Sequence, residues 1–314
     1  MSTPGSWPSP EDATGITPDR AFGLLGNATR LGILRALWEA QEPFADAGLT
    51  FSELRHRAGV EDSGQFNYHL EQLVGRFVTH EGDTYRLSFA GETVVRAVIA
   101  GTVTSDLSAD PVEVDADCMY CGAPVTVQYR GGFVYVACTS CDGSVKSELV
   151  PGGLVGFELP PAGFADRSPQ AVLEATLGYE LPRYDARIEG VCPDCGGRVD
   201  SWLEVCEDHP ETGYCDACRW RDRSRVRWLC RSCRAARDGP GYAVAIHHPA
   251  TSAFLHDHGV ELRRGSWAFV SLAGRVTETA VSTDPVRVTY TLDYGGDTLE
   301  FEVDADATVV SVGG

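Results

Sequence analysis

The sequence predicts an α+β protein in which a helical N-terminal part with a short β-hairpin precedes metal-binding modules and a small C-terminal antiparallel sheet. Three observations favour this fold class. Apolar residues recur at helical spacing between residues 19 and 101, six ligand pairs with a two-residue gap lie between residues 118 and 233, and alternating strands with turn residues end the chain. We therefore divide the chain into a disordered tail (1–18), a helical domain (19–103), a first metal module (112–158), a linker with a short helix (159–190), a double metal module (191–240) and a small α+β domain (241–314).

The composition is acidic and almost free of lysine. The 314 residues carry a net charge of −19, and only Lys146 among 26 basic residues is a lysine. This composition is typical of adaptation to molar salt, where ionic strength screens the repulsion between carboxylates. A GC-rich genome would explain the arginine but explains the acidity less well. No apolar run approaches the roughly 20 residues that span a bilayer and no secretory signal is evident, so we expect a halophilic, cytoplasmic protein with no membrane partner.

Helix-start signals and one hairpin fill residues 19 to 101. Asn27 can cap a first helix, and Thr50 with Glu53 forms a capping box that opens a helix over Phe51 to Ala58. Two short strands, Val78 to His80 and Thr84 to Ser88, are joined across a turn, and a last helix over Ala90 to Ala100 follows.

The helix before the hairpin has one apolar and one polar face. Ser63 can cap it, and a stripe at the spacing of a buried face follows, made of Phe66, Leu70, Leu73 and Val74. The angular spacing of about 100 degrees per residue turns Gln65, Tyr68 and Gln72 outward and leaves Asn67 and His69 on the flanks. Helix, helix, turn, helix, hairpin, helix is the element order of a winged helix-turn-helix.

Three segments of this part resemble ArsR-like winged-helix regulators of salt-loving archaea. They are Leu24-Leu25-Gly26-Asn27-Ala28-Thr29-Arg30-Leu31-Gly32-Ile33-Leu34, Asn67-Tyr68-His69-Leu70 with Leu73-Val74, and Tyr85-Arg86-Leu87-Ser88 with Ala90-Gly91. The resemblance covers about residues 19 to 101. It implies that double-stranded DNA is the partner and that a homodimer forms through the first and last helices.

The resemblance also implies which residues meet DNA. Ser63, Gln65, Asn67 and Tyr68 would contact base edges in the major groove, where Gln and Asn suit adenine, while Arg76 and Arg86 would contact phosphates. The chain departs from the metal-sensing members, because residues 51–58 and 90–100 contain no cysteine. A protein-binding role for the same fold stays open, since residues 19–101 hold eight Arg against eleven Asp and Glu.

All eleven cysteines and one histidine fall into the six ligand pairs, which predicts three four-coordinate structural Zn²⁺ ions. The first site would be a zinc ribbon formed by Cys118, Cys121, Cys138 and Cys141, with a hairpin between its two knuckles. Four protein ligands leave no open position for water, so we expect these ions to stabilise folding. A redox role for the Cys-x2-Cys pairs is the less favoured alternative.

The remaining eight ligands can pair in two ways. Read in sequence order they give tandem short ribbons, the first with Cys192, Cys195, Cys206 and His209 and the second with Cys215, Cys218, Cys230 and Cys233. Interleaved, they follow the ligand order of a cross-braced RING. We favour tandem ribbons because a hydrophobic strand fits inside each short loop. For His209, the one ligand that is not a cysteine, a surface histidine is the alternative.

An alternating arginine row follows the fifth ligand pair. If residues 219–228 are extended, one face carries Arg219, Arg221, Arg223, Arg225 and Arg227. Such a row suits nucleic acid or an acidic partner, and equally suits carboxylates of its own chain.

Beyond the metal modules, the sequence predicts a linker helix over about Pro169 to Leu177, a helix from Pro249 and four strands after residue 275. We expect a sequence-specific transcriptional regulator. The alternative is a basal-transcription adaptor, because a winged helix followed by a zinc ribbon also resembles archaeal transcription factor E, whose partner is RNA polymerase. We expect no enzyme, since no nucleophile–base arrangement, phosphate-cradling glycine loop or open metal site is evident.

Overall fold

The computed structural model describes residues 16–41, 48–210, 213–263 and 265–314. Of the predicted tail (1–18), residues 1–15 lie outside these ranges. The chain separates into two compact units, one ending at Thr104 and one beginning at Ser105. Within the described ranges no helix combines the length and the apolar character needed to cross a bilayer.

The first unit packs five helices of the described chain with a small antiparallel sheet. Its helices are α1 (Pro18–Leu25), α2 (Ala28–Glu39), α3 (Phe51–Arg57), α4 (Ser63–Leu73) and α5 (Phe89–Ile99), and its strands are β1 (Leu49–Thr50), β2 (Val78–Glu81) and β3 (Thr84–Leu87). The sheet order is β1-β3-β2, with His80 opposite Tyr85 in the β2–β3 hairpin. Ile33, Leu54 and Phe66 are fully buried in a core that belongs to this unit alone.

Local capping signals account for most helix starts in this unit. Asn27 Oδ1 accepts the Arg30 N–H at 3.1 Å, and Thr50 and Glu53 form the predicted capping box. The prediction that Ser63 caps α4 is wrong, because Asp62 Oδ1 accepts the Gln65 N–H at 2.6 Å and Ser63 becomes the first helical residue. Asp and Ser cap about equally well, so the neighbouring carboxylate could take this role.

The buried stripe of α4 is one residue shorter than predicted. Phe66, Leu70 and Leu73 are buried, whereas Val74 is 36% exposed. Val74 is the C-cap with extended backbone angles, so it no longer follows the helical face.

The described part of the second unit contains three antiparallel sheets around one core. The first has the order β4 (Ala109–Asp117), β5 (Pro124–Arg130), β6 (Phe133–Cys138), β7 (Gly153–Glu158), and the second has the order β10 (Ala236–Pro240), β9 (Ser224–Cys230), β8 (Val199–Val205). The third is β11 (Val276–Thr283), β12 (Val286–Tyr294), β13 (Asp297–Asp304) and β14 (Val309–Gly313). A single hydrophobic cluster runs through segments that the sequence had divided at residues 158, 190 and 240.

Helices connect and cover these sheets. They are α6 (Pro169–Ile188), α7 (Ala243–Ile246), α8 (Pro249–Asp257) and α9 (Trp267–Val270), with 3-10 turns at Pro161–Phe164 and Ser271–Arg275. The predicted start of α8 at Pro249 and the predicted C-terminal antiparallel sheet are confirmed. Helix α6 extends eleven residues beyond the predicted end at Leu177 and continues through Pro182.

Candidate metal centres and nucleic-acid interface

The first ligand group lies at one end of the β5–β6 hairpin. Cys118 and Cys121 precede β5, Cys138 ends β6, and Cys141 follows it, so the antiparallel pairing brings both knuckles together. The Sγ atoms of Cys118 and Cys141 are 3.7 Å apart, and those of Cys121 and Cys138 are 3.4 Å apart. All four donor atoms lie within 4.8 Å of one another, as the sequence predicted.

The other eight ligands form two groups at opposite ends of the β8–β9 ladder. Val199 lies opposite Cys230 and Val205 lies opposite Ser224, so each end of the ladder joins the start of one strand to the end of the other. One end gathers Cys192, Cys195, Cys230 and Cys233, and the other gathers Cys206, His209, Cys215 and Cys218. The two groups are therefore nested in sequence.

Neither of the two pairings considered from the sequence is correct. Tandem pairing joins ligands at opposite ends of one strand, and cross-bracing joins ligands at opposite ends of the β8–β9 ladder, in which each strand contains seven residues. At a rise of about 3.3 Å per residue, such a strand holds its two ends roughly 20 Å apart, which is too far for one ion. A single extended strand separates the two ends of the loop that contains it. The strand predicted between each two ligand pairs was therefore itself incompatible with tandem pairing.

Four of the knuckles share one backbone turn. The N–H of the residue after the second cysteine donates to the carbonyl of the first cysteine, and that residue has positive φ, as in Gly122, Gly196, Arg219 and Arg234. Glycine adopts this conformation freely, whereas arginine does so at a cost. Sequence reasoning missed the two arginines, although their position after the knuckle is the signal that would identify them. The Arg219 Nε also donates to the Lys146 carbonyl at 3.1 Å, which helps to hold that turn.

In each group, backbone N–H groups of a knuckle lower the pKa of one thiol, that of Cys138, Cys215 or Cys230, before any ion is considered. The Cys233 N–H donates to the sulfur of Cys230 and lowers the pKa of that thiol to about 6. Burial opposes ionisation at Cys138, but N–H groups of Cys141 and Ser140 outweigh it and lower the pKa of Cys138 to about 7. Burial raises the pKa of Cys206 to about 11, so this ligand would need the charge of an ion to become a thiolate at neutral pH.

His209 is held in position by both of its ring nitrogens. Its Nδ1 lies 3.4 Å from the Cys218 sulfur, and its Nε2 lies 2.9 Å from the Arg221 carbonyl. A histidine ligand commonly donates its second N–H to a carbonyl, which fixes the tautomer and leaves the other nitrogen as the ligand. His209 therefore completes a fourth position beside Cys206, Cys215 and Cys218.

The three groups have the spacing of four-coordinate tetrahedral sites. Around an ion with metal–sulfur distances of about 2.3 Å, neighbouring sulfur atoms lie about 3.8 Å apart. The closest sulfur pairs in the three groups are 3.4 to 3.8 Å apart. Each group can hold one metal ion with protein ligands in all four positions, which suits a structural role.

The polar face of α4 is exposed, as predicted. Ser63, Gln65, Asn67, Tyr68, Gln72 and Arg76 are exposed side chains, and Arg86 on β3 is half-buried with an ion pair to Glu81 at 3.4 Å. Glu71 accepts a hydrogen bond from the Asn67 amide at 2.9 Å and orients it. Sequence reasoning missed this role, which the spacing of four residues on a helix would have indicated.

The arginine row is engaged with its own chain. Arg225 and Arg227 contact Glu204 at 3.6 and 2.8 Å, and Arg223 donates to the Cys206 carbonyl. Arg221 donates to the Gly143 carbonyl at 3.0 Å and lies over the Tyr120 ring. These guanidinium groups therefore connect the metal group that contains His209 to the β8–β9 ladder and to the first metal group. Such contacts within the chain are the alternative that the sequence left open.

Two family models match the chain. The model described as domain of unknown function DUF7347 matches residues 18–98, which contain α1 to α5. The model described as domain of unknown function DUF7351 matches residues 115–309, which contain all three metal groups. No curated protein gives a match. Because the second model covers more than half of the 314 residues, the chain belongs to the DUF7351 family.

Proposed function

We propose that the protein is a DNA-binding transcriptional regulator, with a winged helix-turn-helix as its first unit and structural Zn²⁺ in its second. The observation that carries this proposal is the two-faced helix α4. Phe66, Leu70 and Leu73 hold its apolar face in the core while the polar face stays exposed. A helix fixed in this way is what the major groove of double-stranded DNA accepts.

The chemistry of the exposed face supports base reading. Gln65 and Asn67 each offer an amide donor and acceptor, the pair of groups that adenine matches in the major groove. Tyr68, 58% exposed, adds an aromatic surface and a hydroxyl beside them. The β2–β3 hairpin, ending near Arg86, would act as the wing, in keeping with the resemblance to ArsR-like regulators.

Phosphate attraction contributes less than in most DNA-binding proteins. The segment 19–101 holds eight Arg against eleven Asp and Glu, so few counterions would be released on binding. In molar salt this loss is small, because the counterion term is weak there for any protein. We therefore infer that base contacts dominate both affinity and specificity in this chain.

The donor set favours zinc among the metals. Thiolate and imidazole ligands in tetrahedral groups with no open position are typical of structural Zn²⁺. When bound, the ion supplies folding free energy to loop-rich segments and no catalytic water. The group from Cys118 to Cys141, the outer group of four cysteines from Cys192 to Cys233 and the inner group with His209 would each hold one ion.

A homodimer would form through α1 and α5. Phe22 on α1 and Phe89 and Ile99 on α5 are 75%, 81% and 52% exposed. Large apolar side chains at such exposure are uncommon on a monomer when they share a surface. The resemblance assigns dimerisation to the same two helices.

Selection of duplexes from a random pool by the full chain in molar KCl tests the DNA proposal. We expect one enriched motif, and replacement of Gln65 or Asn67 by Ala should cost about 1–3 kcal/mol in affinity for that motif and relax one position of it. Gln41→Ala is the matched control, because Gln41 is an exposed glutamine two residues beyond the end of α2. Arg76→Ser should weaken all sequences alike, and Arg35→Ser on α2 should have no effect.

Failure to enrich any motif would contradict the regulator. Copurification of RNA polymerase without sequence preference would favour the adaptor function in its place. If Gln65→Ala and Asn67→Ala then still bound polymerase, the polymerase contact would lie on a surface other than the polar face of α4.

A further inference from the structure

The second unit contains a cavity of about 300 Å³ that the metal groups and the DNA proposal do not use. Strand β7, helix α6 and helix α7 form its walls. Two further residues come from the ligand knuckles, Met119 between Cys118 and Cys121 and Trp220 two positions after Cys218. Its volume falls at the lower end of the roughly 300–1,000 Å³ typical of ligand sites.

The lining is apolar and rich in aromatic rings. Leu154, Leu181 and Ile246 are buried aliphatic residues, and the ring-bearing side chains are Tyr135, Phe157, Tyr184, Trp220, Tyr242 and Phe269. Protein interiors contain few voids larger than a water molecule, and water is poorly held where polar partners are scarce. A cavity of this size and lining therefore favours an organic molecule over solvent.

Charge selects against anions at this site. Among the described residues that line the cavity, Asp238 is the one acidic residue, and none is arginine or lysine. Arg225 lies 3.9 Å from the Asp238 carboxylate, so this charge is already paired. An anionic ligand would find no cation in the lining and would lose its hydration without compensation.

One side of the cavity is formed by a histidine whose ring is held in place. His247 Nδ1 lies 2.7 Å from Asp185 Oδ1, and the His247 ring is nearly parallel to the Tyr184 ring at 5.7 Å. The Phe269 ring meets His247 edge-on at 5.2 Å. The carboxylate and the two aromatic rings hold the His247 side chain in one defined orientation in the cavity wall.

We propose that this cavity binds a small, uncharged, largely apolar molecule that contains an aromatic ring. The aromatic walls supply stacking and edge contacts. Since Met119 and Trp220 belong to knuckles, the shape of the cavity depends on two of the metal groups. All of the lining residues belong to the second unit.

Two fluorescent probes with the same ring framework test the proposal on the full, metal-loaded chain. N-phenylnaphthylamine is uncharged, and anilinonaphthalene sulfonate carries one negative charge. We expect saturable binding of the neutral probe, at least tenfold tighter than that of the sulfonate. The neutral probe should also raise the thermal midpoint of the second unit.

Two variants on different walls should remove the binding. Val155→Phe on β7 and Ala243→Met on α7 enlarge lining side chains, and each should weaken the neutral probe at least tenfold. Val309→Phe on β14 makes the same change as Val155→Phe on a strand outside the lining and should bind like the wild type. Metal content and circular dichroism identify any variant that fails to fold.

Three results would each overturn the proposal. They are no binding of the neutral probe by the wild type, equal binding by both well-folded enlarged variants, and sulfonate binding as tight as neutral binding. Equal binding by the enlarged variants would mean that the probe binds outside the cavity, for example on exposed apolar residues such as Phe22 and Phe89.

Discussion

His209 is the ligand at which a single residue decides the number of bound ions. Its Nε2 contact with the Arg221 carbonyl leaves Nδ1 facing the Cys218 sulfur. We predict that His209→Ala lowers the bound metal from three ions per chain to two, because Cys206, Cys215 and Cys218 alone leave a position to water. Elemental analysis of protein purified without chelators measures this.

A matched pair of variants separates the ligand from a merely nearby histidine. His209→Cys should keep three ions, since a thiolate can occupy the same position. His256→Ala removes an exposed histidine on α8 and should also keep three. Three ions in His209→Ala would remove His209 from the ligand set.

Asp222 carries a buried carboxyl whose ionisation depends on pH. Burial raises the pKa of Asp222 to about 7, with the charge of Glu278 adding to the effect and Arg221 opposing it. Within the described residues its Oδ2 has no hydrogen-bond partner. Because the folded pKa lies above the unfolded value, this group lowers the free energy of unfolding progressively as pH rises to about 7, and the loss is complete above it.

We predict that Asp222→Asn stabilises the second unit more at pH 8 than at pH 6. The advantage should grow by up to about 1 kcal/mol over this range, because the native carboxyl completes its ionisation there. Denaturant titrations at both pH values measure the difference. Asp200→Asn is the control, since its partner Arg231 lowers the pKa of Asp200 and leaves it ionised throughout. A constant difference between pH 6 and pH 8 for Asp222→Asn would contradict the burial argument.

At the scale of elements, the β8–β9 ladder decides which ligands share an ion. A double replacement within one group should remove one ion, and a double replacement across two groups should remove two. We predict two remaining ions for Cys192→Ala with Cys233→Ala and one for Cys192→Ala with Cys218→Ala. Tandem pairing would leave one ion in both variants, and cross-bracing would reverse the two results, so elemental analysis distinguishes all three.

The elements that the sequence predicted well are those with local signals. Asn27 and the Thr50–Glu53 box define helix starts within four residues, and the first metal group follows from a single hairpin. The nested groups depend on the register of two strands about twenty residues apart, which ligand spacing does not encode. Helix α6 passes through Pro182 because its second half buries Leu181 and an ion pair between Glu180 and Arg187 at 3.5 Å. That tertiary packing outweighs the hydrogen bond that proline removes.

At the scale of the whole molecule, the two units depend on metal to different degrees. The core of the first unit contains Ile33, Leu54 and Phe66 and none of the eleven cysteines, whereas the core of the second includes Cys118, Cys138, Cys192 and Cys230. Structural zinc contributes roughly 10–16 kcal/mol of apparent binding free energy per site, which is comparable to the whole stability of a domain. Loss of the ions should therefore unfold the second unit and leave the first folded.

We predict that a chelator in molar KCl produces selective loss of amide protection. Amides of β5, β6, β8 and β9 should exchange freely, while those of α2 and α4 should keep their protection, because their core contains no ligand. Hydrogen exchange followed by peptide mass analysis measures both units in one sample, and added Zn²⁺ should restore protection in the second. Variant Leu54→Ala supplies the reverse case, because it creates a cavity in the core of the first unit. The amides of α2 and α4 should then lose protection, while the second unit should keep its three bound ions. Loss of protection throughout on chelation would mean that the first unit derives its stability from the second.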